Sequence, residues 1–140
     1  MNKINKFKGL FSSIRCDWKT PEWLYNDLNK EFGFDFDPCP SNPDFDGLQV
    51  EWGKCNFCNP PYGNLIGKWI AKGYLEWQKG KTVVFLIPSR TDTIYWHKFI
   101  MKADEIRFIE GRLKFSEYHN SAPFPSAIIV FRRKGLRDTF

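Results

Sequence analysis

No stretch of 18 apolar residues occurs in this chain, which excludes the usual pattern of a membrane-crossing helix. No signal-peptide pattern opens it, so a soluble cytoplasmic protein is expected, with no membrane partner. Histidine is scarce at two residues, and cysteine numbers four: Cys16, Cys39, Cys55 and Cys58. Cys55 and Cys58 have the gap of a zinc knuckle, but no second tight pair exists. Only Cys16, Cys39, His97 and His119 remain to complete a tetrahedral set, so no metal is expected. Disulfides are not expected in a reducing compartment. Acidic residues are outnumbered, 16 against 21 Lys and Arg, and the net charge of +5 favours a polyanionic partner. Aromatic residues, by contrast, are plentiful at 18%. Most of them belong to a core, and some are free to form stacking surface.

The most informative stretch is Asn59-Pro60-Pro61-Tyr62. It follows a short apolar run, Cys55 to Cys58, and precedes a helical pattern that begins near Asn64. A strand ending there puts the turn at the carboxyl edge of a sheet, where open α/β folds bind ligands. Two prolines fix φ and supply no N–H donor. Asn59, preceding Pro60, is pushed towards an extended conformation. The corner is a rigid mount for one amide and one aromatic ring. Two readings stand: an ordinary proline turn, or a site for a planar base bearing an amine. In the second, Asn59 and a backbone carbonyl of the turn accept the two amine protons, and Tyr62 stacks. The complete four-residue string favours the second.

The remaining elements follow from spacing. Thr20-Pro21 suits a helix start, with Thr20 as cap and Pro21 in the first position. Trp23, Leu24, Leu28 and Phe32 continue that helix to Gly33. Phe34 to Asp37 reads as a short strand, with Asp37-Pro38 leaving its carboxyl end. Ser41 to Gly53 is polar and rich in turn signals. Leu65, Ile66, Trp69, Ile70 and Leu75 mark a helix to about Gln78. Thr82 to Ile87 is β-branched and apolar, as in a buried parallel strand. Asp92 is placed to cap a helix from Thr93 to Lys102. Glu105 to Ile109, Arg112 to Phe115 and Ser126 to Phe131 read as strands. His97 reads as a packing or surface histidine. Residues 1–11 form a basic arm, 12–134 one domain, and 135–140 a tail.

Several strings together resemble the small phage-type DNA N6-adenine methyltransferases. Beside Asn59-Pro60-Pro61-Tyr62 stand Asp17-Trp18-Lys19-Thr20-Pro21, Asp37-Pro38-Cys39-Pro40 and Asp46-Gly47-Leu48 followed by Trp52. Pro88-Ser89-Arg90-Thr91-Asp92-Thr93, Gly111-Arg112-Leu113-Lys114-Phe115 and Ala122-Pro123-Phe124-Pro125-Ser126 complete the set. The resemblance runs from about Ser12 to Phe131.

It implies a site-specific enzyme that moves a methyl group from S-adenosylmethionine to N6 of a flipped-out adenine, in line and without a metal. The catalytic residues would be Asn59, Pro60, Pro61 and Tyr62. Trp18, Thr20, Pro21, Asp37, Pro38 and Asp46 would bind the cofactor, with Asp44 and Glu51 as weaker candidates for its ribose. Arg90, Arg112 and Lys114 would meet DNA. The implied fold is a trimmed Rossmann-like sheet, mostly parallel, with an antiparallel C-terminal hairpin. The stretch from Ser41 to Gly53 is too short for two parallel crossovers, and Asp37-Pro38 departs from the glycine-rich fingerprint of most such enzymes. The cell would be bacterial or a phage-infected host. A homodimer would be one source of sequence specificity. Methylation of an RNA base or a protein glutamine, and a non-catalytic DNA-binding role, are the alternatives.

Overall fold

The computed structural model describes residues 18–115 and 121–136. The basic arm, Cys16 and His119 lie outside them. A helix α1 (Glu22–Phe32) precedes strand β1 (Cys55–Cys58), helix α2 (Ile66–Gln78) and strand β2 (Thr82–Pro88). Then come a short helix α3 (Ile94–Lys98), a 3-10 turn (Ile100–Lys102), and strands β3 (Glu105–Phe108) and β4 (Ser126–Phe131). A second 3-10 turn, Lys134–Leu136, follows.

The strands form a mixed sheet of order β1-β2-β4-β3. β1 and β2 run parallel, with Cys55 opposite Thr82 and Cys58 opposite Phe85. β4 lies antiparallel to both β2 and β3. The sheet is mixed: β1, β2 and β3 point one way and β4 alone runs against them. One helix, α2, makes a parallel crossover, and β4 returns between β2 and β3 in the opposite sense. The segment expected as a strand at Phe34–Asp37 is reduced to one parallel bridge, Phe36 with Asn56. Arg112–Phe115 is not a strand. Leu113 and Phe115 are buried there, and the Leu113 carbonyl accepts from Ala122 N–H at 2.8 Å. The described parts of the connection from β3 to β4, residues 109–115 and 121–125, thus pack together as a lobe.

The sheet's two faces explain the apolar run of β2. All seven of its residues are buried. Val83, Phe85 and Ile87 point towards α2 and α3; Val84 and Leu86 point towards α1 and the lobe. β4 alternates in the same way, with Ile129 and Phe131 on one face and Ile128 and Val130 on the other. Period-two alternation thus divides one strand's apolar residues between two cores. On α2, Ile66, Trp69, Ile70, Gly73 and Trp77 form the buried stripe. Gly73 makes room for Phe85: a Cβ there would lie 2.2 Å from the ring.

Two helix starts differ from expectation. Pro21, not Thr20, precedes the first helical residue of α1, and no side chain caps it. The Thr20 hydroxyl is engaged by Asn59 instead. At α3 the cap is Thr93, not Asp92. Its extended backbone aims Oγ1 at Trp96 N–H, 3.4 Å away. α3 gives way to the 3-10 turn after Phe99, whose φ of −120° departs from helical geometry. On the sheet's far side, Arg107 holds Glu31 through two bonds of 2.7 Å, which ties α1 to β3.

Candidate active site

The carboxyl ends of β1 and β2 face the same way because the two strands are parallel. β4 is antiparallel, so its first residue, Ser126, sits opposite Pro88 at that edge. The lobe before Ser126 reaches the edge as well: Ser89 N–H donates to the Pro125 carbonyl at 2.9 Å. The topology thus collects at one sheet edge the Asn59–Tyr62 turn, the Ser89–Arg90 segment and the described part of the lobe.

Asn59 follows β1 directly and is 2% exposed. Its Nδ2 donates to the Trp18 carbonyl at 2.7 Å and to Thr20 Oγ1 at 3.0 Å. These bonds orient the amide, because the Trp18 carbonyl can only accept and so demands its NH2 end, and the Thr20 hydroxyl accepts beside it. They also join three of the predicted residues, Trp18, Thr20 and Asn59. Pro60 and Pro61 are buried. Tyr62 is half-buried, and its hydroxyl donates to the Leu86 carbonyl at 3.3 Å.

The ring of Tyr62 is engaged too. It meets Phe124 edge-on at 5.5 Å and Phe115 at 6.4 Å. Trp18 meets the same two rings at 5.0 and 5.4 Å. A presented amide and ring were expected, and the structure covers both. The ring is covered by the apolar side of the lobe, where Phe115 and Phe124 bury themselves on Trp18 and Tyr62; the amide is buried against the Trp18 carbonyl and Thr20.

A cavity of about 340 Å³ opens beside this cluster, lined by Lys19, Thr20, Glu22, Tyr25, Asp37, Ser41 and Phe57. It brings together two predicted cofactor residues, Thr20 and Asp37. Asp37 Oδ1 also accepts from Cys39 N–H at 2.9 Å, which shapes the turn. Tyr25 titrates above its ordinary range of about 10, because burial and then the charge of Asp37 disfavour its phenolate. Lys19, Tyr25 and Ser41 were not singled out by sequence reasoning. Tyr25 lies five residues beyond Thr20 on the adjoining helix, and that proximity was the available signal.

Other predicted residues lie elsewhere. Pro21 and Pro38 are buried and do not line the cavity. Asp46 does not line it either; its Oδ1 accepts from Leu48 N–H at 2.9 Å. Arg90 is exposed just beyond β2. Arg112 and Lys114 are exposed between buried Leu113 and Phe115, so the lobe turns its cations outward. His97 is exposed, with Nε2 at 2.8 Å from the Thr91 carbonyl. Cys58 is fully buried, and Cys55 Sγ donates to the Phe32 carbonyl.

The arrangement can do two things chemically. The cavity offers one cation, two carboxylates (Glu22 and Asp37), hydroxyls and aromatic walls to a polar small molecule of mixed charge. The amide of Asn59 beside it is buried, so it accepts a proton-bearing nitrogen only once its surroundings open. A family model described as DNA N-6-adenine-methyltransferase (Dam) matches residues 9–135. A search of curated proteins found no match.

Proposed function

The chain belongs to the DNA N-6-adenine-methyltransferase (Dam) family, and on that premise we propose that it transfers a methyl group from S-adenosylmethionine to N6 of adenine in DNA. The trimmed Rossmann-like reading of its sheet, within one domain over residues 12–134, belongs to the same proposal. The observation that carries it is the amide of Asn59, locked by Trp18 and Thr20 next to the cavity that Asp37 lines.

The cavity fits the donor's chemistry. Its volume falls within the roughly 300–1,000 Å³ of small-molecule sites. Asp37 can accept from ribose hydroxyls or an amino group. Lys19 and the N–H groups at the start of α1 suit a carboxylate. Tyr25 and Phe57 supply apolar wall. Bound S-adenosylmethionine supplies an electrophilic methyl group for direct, in-line transfer.

The acceptor side is built from the proline corner. Adenine leaves the duplex because its amine is otherwise out of reach. Asn59 Oδ1 and the Pro60 carbonyl accept the two N6 protons, so the nitrogen lone pair is held towards the donor. Tyr62 stacks on the base once the aromatic cover from Phe115 and Phe124 shifts aside. Catalysis then consists of positioning and pre-organised acceptors. Arg90, Arg112 and Lys114 hold the DNA backbone.

The test is transfer of tritiated methyl from S-adenosylmethionine into unmethylated DNA, followed by digestion to nucleosides. Label in N6-methyladenine is expected. Label absent from DNA but present in RNA or protein would overturn the substrate assignment.

A further inference from the structure

We propose that Trp52 is a positioning residue for the methyl-donor site, set in place by buried Glu76 and partly buried Lys81. The proposal rests on the donor-site reading above. Its starting point is a carboxylate without exposure: Glu76 on α2 is 0% exposed inside an otherwise apolar stripe. A buried charge is retained only where partners compensate it.

Those partners converge on one residue. Glu76 Oε1 accepts from Trp52 N–H at 2.8 Å. Lys81 Nζ donates to the Trp52 carbonyl at 2.8 Å and to Glu76 Oε2 at 3.2 Å. Opposite charges therefore grip the two peptide groups flanking Trp52. Its indole Nε1 then donates to the Gly47 carbonyl at 2.7 Å, also buried. Gly47 is pressed against the turn that follows Asp37: a Cβ on it would lie 2.0 Å from the Pro38 carbonyl oxygen. Any drift of Gly47 is thus felt at Pro38, and Asp37 lines the cavity.

The segment 38–53 contains neither helix nor strand. No ladder fixes its place; core packing and the bonds of Trp52 to Glu76 and Lys81 do. Loss of the indole N–H should leave the core ring packed while loosening the turn that carries Asp37. The effect belongs in donor affinity rather than in the methyl-transfer step.

The experiment is calorimetric titration of S-adenosylhomocysteine and S-adenosylmethionine into wild type and Trp52→Phe, with steady-state methylation of DNA. The expected result is a dissociation constant raised fivefold or more, with kcat at saturating donor within twofold of wild type. A smaller change in affinity, or a loss confined to kcat, would overturn the proposal. Should Trp52→Phe fail to fold, benzothienylalanine at position 52 keeps the ring size and removes only the donor, and the same thresholds apply. Wild type that binds neither compound would sink the donor-site reading itself. Equal binding by wild type and a folded variant would sink only the role of Trp52.

Discussion

Asn59 Nδ2 lies 3.0 Å from Thr20 Oγ1 across a separation of 39 residues. The contact converts a residue that local spacing offers as a helix cap into the brace of a candidate catalytic amide. It also fixes which end of the amide is the acceptor, since the nitrogen is held by Thr20 and by the Trp18 carbonyl.

Asn59→Ala should lower methyl transfer by about 10²–10³-fold, the scale seen when one pre-organised polar partner is removed. The affinity for S-adenosylhomocysteine should stay within threefold of wild type. Thr20→Val should lower the rate less, because the Trp18 carbonyl still orients the amide. Rates from tritium incorporation check both; full activity in Asn59→Ala would remove that residue from the chemistry.

Tyr62→Phe and Tyr62→Ala separate the hydroxyl from the ring. The hydroxyl bonds the Leu86 carbonyl, so its loss should cost stability slightly and turnover little. Loss of the ring removes base stacking worth about 1–3 kcal/mol. KM for DNA should then rise about 5- to 150-fold in Tyr62→Ala, with donor affinity unchanged. An equal KM in the two variants would count against stacking.

Asp37→Ala should weaken donor binding while leaving the fold intact, because the side chain lines the cavity at its surface. Calorimetry is the measurement. Asp46→Ala should have a smaller effect, acting through the turn that its side chain closes with Leu48 N–H. A larger effect for Asp46 than for Asp37 would reverse their assigned roles.

Acid should expose the buried carboxylate. Burial alone would raise the Glu76 carboxyl, but the Trp52 N–H and the ammonium groups of Lys81, Lys79 and Lys72 outweigh it and bring it down to about 2 from an ordinary 4.5. A carboxyl whose folded value is depressed contributes stability that is complete above the unfolded value. That stability is lost as pH falls from about 4.5 towards 2. Glu76→Gln should destabilise the protein by on the order of 3 kcal/mol at neutral pH, and flatten its stability profile through that acid window. Urea melts at several pH values read this directly; an unchanged acid slope in Glu76→Gln would show that other carboxyls dominate.

Much of the framework was already legible in local pattern. The apolar run at Thr82–Ile87 read as a buried strand, the helix stripe through Ile66, Trp69 and Ile70 followed its period, although Leu75, expected on it, is exposed and Trp77 takes that place, and the Asn59–Tyr62 corner lay at a strand end. These follow from side-chain spacing and proline stereochemistry, which neighbours in sequence decide. The order of the sheet did not follow, because β4 enters antiparallel between β2 and β3 through pairings distant along the chain. Nor did the aromatic cover on Tyr62, which depends on rings contributed by Phe115 and Phe124. The exchange of Thr20 from cap to brace, and the grip of Glu76 on Trp52 over 24 residues, were equally out of reach. Sequence alone determined which segments bury their apolar faces and where a rigid amide is mounted. Only the tertiary structure decided what that amide and the cavity lined by Asp37 touch, because burial is non-directional while hydrogen bonds and ring contacts require partners brought together by the whole fold.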